Sequence, residues 1–215
     1  ADVAPLAPMD LTYSVDWSGL ALGEARVTLN PDPNKRGCYD YRSATHPIAL
    51  VKALVGEPYQ ESLFCLRDGK VVSLLMKNVS PGRQQDEYQL TFDWDKHVVT
   101  NQAGEVRPLP DGGTDVFSLE QAVRLWVRAH AADSSPPEAD IIMVDNKHIQ
   151  TYKFHFVGHE AVDVPAGHFQ ALVVERFDNP GKIAKFWISP DRGYIVLRGE
   201  QRNGNGPLIT MQLEH

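Results

Sequence analysis

HIQTYKFHFVGHEAVDVPAGHFQALVVERF (His148–Phe177) and IAKFWISPDRGYIVLRGEQRNGNGPLITMQL (Ile183–Leu213) decide the fold. In the first stretch Tyr152, Phe154 and Phe156 alternate with Thr151, Lys153 and His155. A period of two sends one set to each face of a strand. Pro165, Ala166 and Gly167 predict a turn, and Phe169 to Phe177 a second strand. Ile183 to Ser189, Tyr194 to Arg202 and Leu208 to Gln212 predict three more. Asn179-Pro180-Gly181, Pro190 to Gly193 and Asn203 to Gly206 separate the later strands. Proline fixes φ, and glycine and asparagine accept positive φ, so each break has a turn mechanism. This third of the chain reads as an antiparallel meander.

The same alternation runs outward toward the N-terminus. Leu11, Tyr13, Val15 and Trp17 form one half-buried strand, and Ala25, Val27 and Leu29 another. Cys38 to Thr45 follows. Tyr59 to Arg67 and Lys70 to Val79 meet at Asp68-Gly69, a strong hairpin signal. Tyr88, Leu90, Phe92 and Trp94 alternate again, and His97 to Asn101 answers them. Gly104 to Gly113 reads as loop. Phe117 to His130 is the clear helix. Asp115 or Ser118 caps it, and Ser118 with Gln121 fits a capping box. Leu119, Ala122, Val123, Trp126 and Val127 share one helical face; Glu120, Gln121, Arg124 and Arg128 share the other, with Glu120 and Arg124 four apart.

The expected fold class is all-β and mainly antiparallel: a strongly curved sheet or barrel-like meander of about eleven strands with one amphipathic helix packed on it. The expected organisation is a loose segment at 1–8, a single β-rich domain at 9–212 and a tag remnant at 213–215.

The chain has 215 residues, 42% hydrophobic and 23% charged, with a formal net charge of −7, a globular composition. No Lys/Arg cluster offers a nucleic-acid footprint. No apolar run reaches the roughly 20 residues of a transmembrane helix. The start ADVAPLAP reads as a mature end left by signal-peptide removal, the alternative being a truncation of a cytoplasmic protein. Cys38 and Cys65 fall in strand-like segments. They pair as a disulfide in an oxidising compartment, or stand apart as two buried thiols.

Pro47 to Pro58, PIALVKALVGEP, is apolar without alternation. It reads as a short helix or flap that either covers core or forms a lid over a ligand. Ile48, Leu50, Val51, Leu54 and Val55 are therefore the candidate ligand-binding residues. No cofactor, metal site or catalytic residue is assigned. His159-Glu160 opens HEAVD, one residue short of the zinc-protease pattern, but on a strand ligands four apart do not converge. His155, His159 and His168 read as solvated strand histidines. No nucleophile elbow, phosphate loop or dinucleotide fingerprint occurs.

Four stretches carry a resemblance: Tyr13 to Leu29 with its glycines, the Asp-x-x-Ser entry at Asp115 to Ser118, the hairpin Val157 to Arg176, and FWISPD at Phe186 to Asp191. Together they resemble the bacterial exported family catalogued as domain of unknown function 3108. The resemblance implies a β-rich fold and a periplasmic or envelope location in a Gram-negative bacterium, and it implies no catalytic residues. The function expected is non-enzymatic: binding of a lipid or other apolar small molecule in or on a curved β-sheet. One alternative is an interaction module for an envelope protein partner. Another is a hydrolase in which His155 or His97 meets a carboxylate in a deep pocket.

Overall fold

The computed structural model describes residues 5–215. Its strands are β1 (Met9–Trp17), β2 (Leu20–Pro31), β3 (Cys38–Pro47), β4 (Tyr59–Arg67), β5 (Lys70–Val79), β6 (Tyr88–Asp93), β7 (Val98–Asn101), β8 (Val106–Pro108), β9 (Gly113–Thr114), β10 (Ala139–Val144), β11 (Ile149–Val164), β12 (Gly167–Arg176), β13 (Lys182–Ser189), β14 (Ile195–Asn203) and β15 (Ile209–Leu213). Two α-helices accompany them, α1 (Ala49–Val55) and α2 (Val116–His130).

The β-rich, mainly antiparallel class is present, with two corrections. The described residues hold fifteen strands where about eleven were expected, and two helices where one was expected. The extra strands are short. β8 and β9 lie within or at the end of the Gly/Pro-rich stretch read as loop, and too few residues alternate there to signal a strand. β9 also pairs parallel with β10, Ile142 opposite Gly113, so the sheet is mixed. The hydrogen-bonded order is β8-β7-β6-β5-β4-β3-β2-β1-β15-β14-β13-β12-β11-β10-β9. Its first and last strands do not pair, so the ladder is not closed.

The chain divides into two compact units. The first comprises Ala1–Asp10, Arg26–Ala122 and Ile141–Gln150. Its hairpins follow from the turn chemistry: β4 and β5 pair Arg67 with Lys70 across Asp68-Gly69, where both turn residues have positive φ. One apolar cluster joins Met76, Leu90, Phe92, Val99, Leu109 and Val144, with Trp94 and Phe117 against it. Tyr39 stacks on the fully buried Phe64 at 5.4 Å. Residues 1–4 of the segment read as loose lie outside the described residues. Within 5–8, Leu6 is buried and its amide donates to the Tyr39 hydroxyl at 3.1 Å.

The second unit comprises Leu11–Ala25, Val123–Asp140 and Thr151–His215. β11 and β12 form the hairpin read from the sequence, closing at Val164 opposite Gly167 across Pro165-Ala166. A bulge between Phe156 and Gly158 shifts the register. Val173, Val174, Leu197 and Leu213 are fully buried. Tyr13 pairs with Leu213, and the Glu214 amide donates to the Thr12 carbonyl at 2.8 Å. The segment set apart at 213–215 is thus held in the sheet. Trp126 packs on Phe156 with ring centres 4.7 Å apart.

Candidate functional site

α1 is where the candidate ligand residues stand. Ile48 precedes it without a side-chain cap, and Gly56 ends it at φ 68° with its amide donating to the Lys52 carbonyl. A seven-residue helix is too short to persist on propensity alone. The turn after β5 holds it: the Gly82 amide donates to the Val55 carbonyl at 3.2 Å. Gly82 is close enough that a Cβ there would lie 2.6 Å from the Val55 carbonyl carbon. Lys52 pairs with Glu57 at 2.7 Å, an exposed contact of small weight.

None of the helix residues is buried. Ile48 is 44% exposed, Leu50 75% and Leu54 72%. Leu50 and Leu54 are four apart and therefore share a face. Val51 and Val55 are half-buried. Covering each of the two leucines would be worth about 1–2 kcal/mol, scaled from the cost of leaving a whole aliphatic side chain in water.

Cys38 and Cys65 sit opposite each other on β3 and β4 and are joined as a disulfide. A recess of about 330 Å³ lies beside them, with Asp32, Lys35, Tyr39, Leu63 and Phe64 among its walls.

The start of α2 carries a polar cluster that the sequence only half disclosed. Asp115 is the cap. Its Oδ1 accepts from the amides of Phe117 at 2.9 Å and Ser118 at 3.0 Å. Its Oδ2 accepts from the Ser62 hydroxyl at 2.8 Å. Ser118 Oγ in turn accepts from the Asp115 amide at 3.0 Å, a reciprocal capping box built three residues earlier than Ser118-Gln121. Ser73 Oγ lies 2.5 Å from Ser118 Oγ. Burial pushes the Asp115 carboxyl up, and these donors pull against it. Ser62 and Ser73, both with no exposed surface, were missed because a serine within a strand gives no directional signal.

One turn on, Glu120 differs. Tyr41, 4% exposed, donates its hydroxyl to Glu120 Oε2 at 2.9 Å. Phe117 packs on the Tyr41 ring at 5.1 Å. The Glu120 side chain is exposed to solvent. Even so, burial is the largest influence on its carboxyl and, against the Tyr41 hydrogen bond, pushes it up to about 7, with Asp115 adding to the rise.

The polar face of α2 is covered in part. Gln121 is 3% exposed and Arg124 7%, and the Arg124 guanidinium donates to the Gly193 carbonyl at 2.8 Å.

The histidines stay at the surface. His159 is exposed on β11, and Glu160 accepts from the Trp187 indole at 2.8 Å and pairs with Lys185 at 3.3 Å. That indole bond, first among several, holds the Glu160 carboxyl below its ordinary range. His168 meets Asp163 at 2.7 Å, His155 meets Glu175 at 3.6 Å and His97 meets Asp111 at 3.5 Å, with exposed side chains in all three pairs. Among the described residues no three His, Cys, Asp or Glu side chains gather as a metal site. No helix there is long and apolar enough to cross a membrane.

Comparison with known proteins places this geometry in a family context. The model of a family described as "Protein of unknown function (DUF3108)" matches residues 12–214. No curated protein matches significantly. Among solved structures the chain is similar to a "Beta-barrel-like Protein of Domain of Unknown Function DUF1849" from Brucella abortus. The identity is 14%, the TM-score 0.62, and 98% of this chain and 97% of that one are covered. At that identity the likeness concerns the fold alone.

Proposed function

The chain belongs to the DUF3108 family of proteins of unknown function, and on that premise we propose that it is a non-enzymatic, exported protein of the Gram-negative envelope that binds an apolar, lipid-like ligand. The observation that carries the reading is α1. Its two leucines stand about three-quarters in water on one face of a helix that contributes nothing to a core. Exposed aliphatic surface of this kind marks a place that is covered in use.

Two further features support it. A disulfide between Cys38 and Cys65 suits an oxidising compartment such as the periplasm. The Asp115-x-x-Ser118 signature is engaged in capping α2, a scaffold role.

The test uses protein prepared from the periplasm without detergent. Native mass spectrometry of the wild type should show lipid adducts. Leu50→Ser with Leu54→Ser should remove them while leaving the unfolding midpoint unchanged within about 0.5 kcal/mol, as exposed positions allow. A wild type that carries no adduct in repeated preparations sinks the ligand reading. The second reading is an envelope protein partner seated on the same leucines. The openness of α1, with no residue buried, favours it. Crosslinking from position 50 to a protein, with no lipid adduct, would select it.

A further inference from the structure

β11 outruns one of the two strands beside it. Among the described strands its neighbours are β12 on one side and β10 on the other. β12 follows it to its end, where Val164 pairs with Gly167. β10 has six residues against sixteen and runs back from a turn closed by the Asp145 amide on the His148 carbonyl, so it is used up by about Phe154. Over residues 157–164, the side of β11 away from β12 therefore carries no described strand. No turn, loop or side-chain hydrogen bond reaches the backbone of 157–163 among the described residues.

Antiparallel partners alternate between bonded and unbonded pairs. Val164 and Gly167 close a two-residue turn and are a bonded pair, so Val162 and Glu160 also bond to β12. The N–H and C=O groups of His159, Ala161 and Asp163 then point to the open edge, and all three residues are exposed. Open edges are ordinarily blunted by proline, lysine or a bulge. Here the bulge lies before this stretch and Pro165 after it, with neither proline nor lysine between.

We propose that this edge pairs antiparallel with the same edge of a second copy of the chain, about a twofold axis at Ala161. The residues are self-complementary about that point, as a closed twofold contact requires. Ala161 meets Ala161 of the second copy, and His159 meets Asp163 of the second copy on either side of the axis. Three bonded pairs supply about six backbone hydrogen bonds. Each outer pair sets an imidazole N–H against a carboxylate across the strands. Asp163 Oδ1 lies 2.7 Å from His168 Nδ1, which leaves Oδ2 for the second copy. An axis at position 160 would set the two Glu160 side chains face to face. An axis at 162 would put Pro165, which has no N–H, opposite His159.

Sedimentation equilibrium of the full chain over about 1–500 μM reads the pairing, since a contact of this size belongs to the weak, transient class. The wild type should pass from monomer to dimer within that range. Ala161→Pro removes the central N–H, which has no acceptor within the chain, and should stay folded by circular dichroism yet monomeric. His159→Asp opposes Asp163 of the second copy with a like charge and should weaken the dimer about tenfold. Adding Asp163→His exchanges donor and acceptor and should restore it to within about threefold. Ala161→Cys, oxidised, should give a covalent dimer, because bonded partners stand about 5.5 Å apart between Cα atoms, whereas Val157→Cys should not. A wild type monomeric throughout, a dimer that survives Ala161→Pro, an exchange that restores nothing, or an unfolded Ala161→Pro overturns the pairing. Crosslinking of Ala161→Cys in the periplasm to a different protein, with no covalent dimer, gives the edge to a foreign strand and overturns it as well.

Discussion

Glu120→Gln makes a sharp prediction in the unliganded protein. The carboxyl rises from its ordinary 4.5 to about 7 because the surrounding protein disfavours its charged form. Below pH 4.5 the folded and unfolded chains both carry the proton, and the site adds no penalty. Between 4.5 and 7 the folded chain keeps a proton that the unfolded chain has released, so stability falls as pH rises. Above 7 both are ionised and the full penalty stands. At about 1.36 kcal/mol per pH unit the ceiling is about 3.4 kcal/mol. Glu120 faces solvent, and screening cuts this to about 1–2 kcal/mol. Glutamine is neutral throughout. The variant should therefore match the wild type near pH 4.5 and exceed it by about 1–2 kcal/mol at pH 8, or about 2–8 °C in Tm. Urea denaturation at pH 4.5, 6 and 8, with ligand removed, reads the difference directly. The other titrating groups are common to both proteins and drop out to first order. A difference that is flat with pH, or a variant less stable at pH 8, refutes the reasoning.

Three further outcomes follow from the same structure. Replacing both Cys38 and Cys65 by alanine frees a loop of sequence separation 27 and should cost about 3–4 kcal/mol in the chain-entropy account, read as a lower guanidinium midpoint. Asp115→Ala leaves the Ser62 hydroxyl and two helix amides without their acceptor and should cost about 2–4 kcal/mol. Asp115→Asn keeps an acceptor oxygen and should cost clearly less by the same melt. Gly82→Ala places a methyl 2.6 Å from the Val55 backbone and should cost about 1–3 kcal/mol. Hydrogen exchange should locate that damage at the Lys52 and Gly56 amides, with the β3–β4 amides unaffected.

Much of the β architecture was legible because its signal is local. Alternation in Leu11 to Trp17 and in Thr151 to Phe156, and turns at Asp68-Gly69 and Pro165-Ala166, need only a few adjacent residues. β8 and β9 were not legible. At three and two residues they are defined by what they pair with, which a chain read in order does not reveal. The exposed apolar stretch at Ile48 to Val55 was legible as unusual, because it lacks both periods and is fenced by Pro47 and Pro58. The choice of helix over flap was not, since a helix this short depends on the support of Gly82 from the far side of a hairpin.

The polar interior was the least legible part, and two carboxyls show why. Asp115 and Glu120 lie five residues apart on one helix, and a sequence cannot rank them. The structure gives Asp115 three donors: the Phe117 and Ser118 amides, and the Ser62 hydroxyl from another strand. That is the treatment of a carboxyl whose task is to anchor a helix. Glu120, exposed to solvent, receives one donor, the Tyr41 hydroxyl. Had stability been the only constraint on position 120, a glutamine or an aliphatic residue would serve better at neutral pH, since either avoids the desolvated charge. A fold that satisfies one buried acid completely and leaves its neighbour half-satisfied sets that neighbour apart. Among the described residues the Glu120 carboxyl has the Tyr41 hydroxyl as its one hydrogen-bond partner, which is why its charge is the one whose removal should be felt as pH rises.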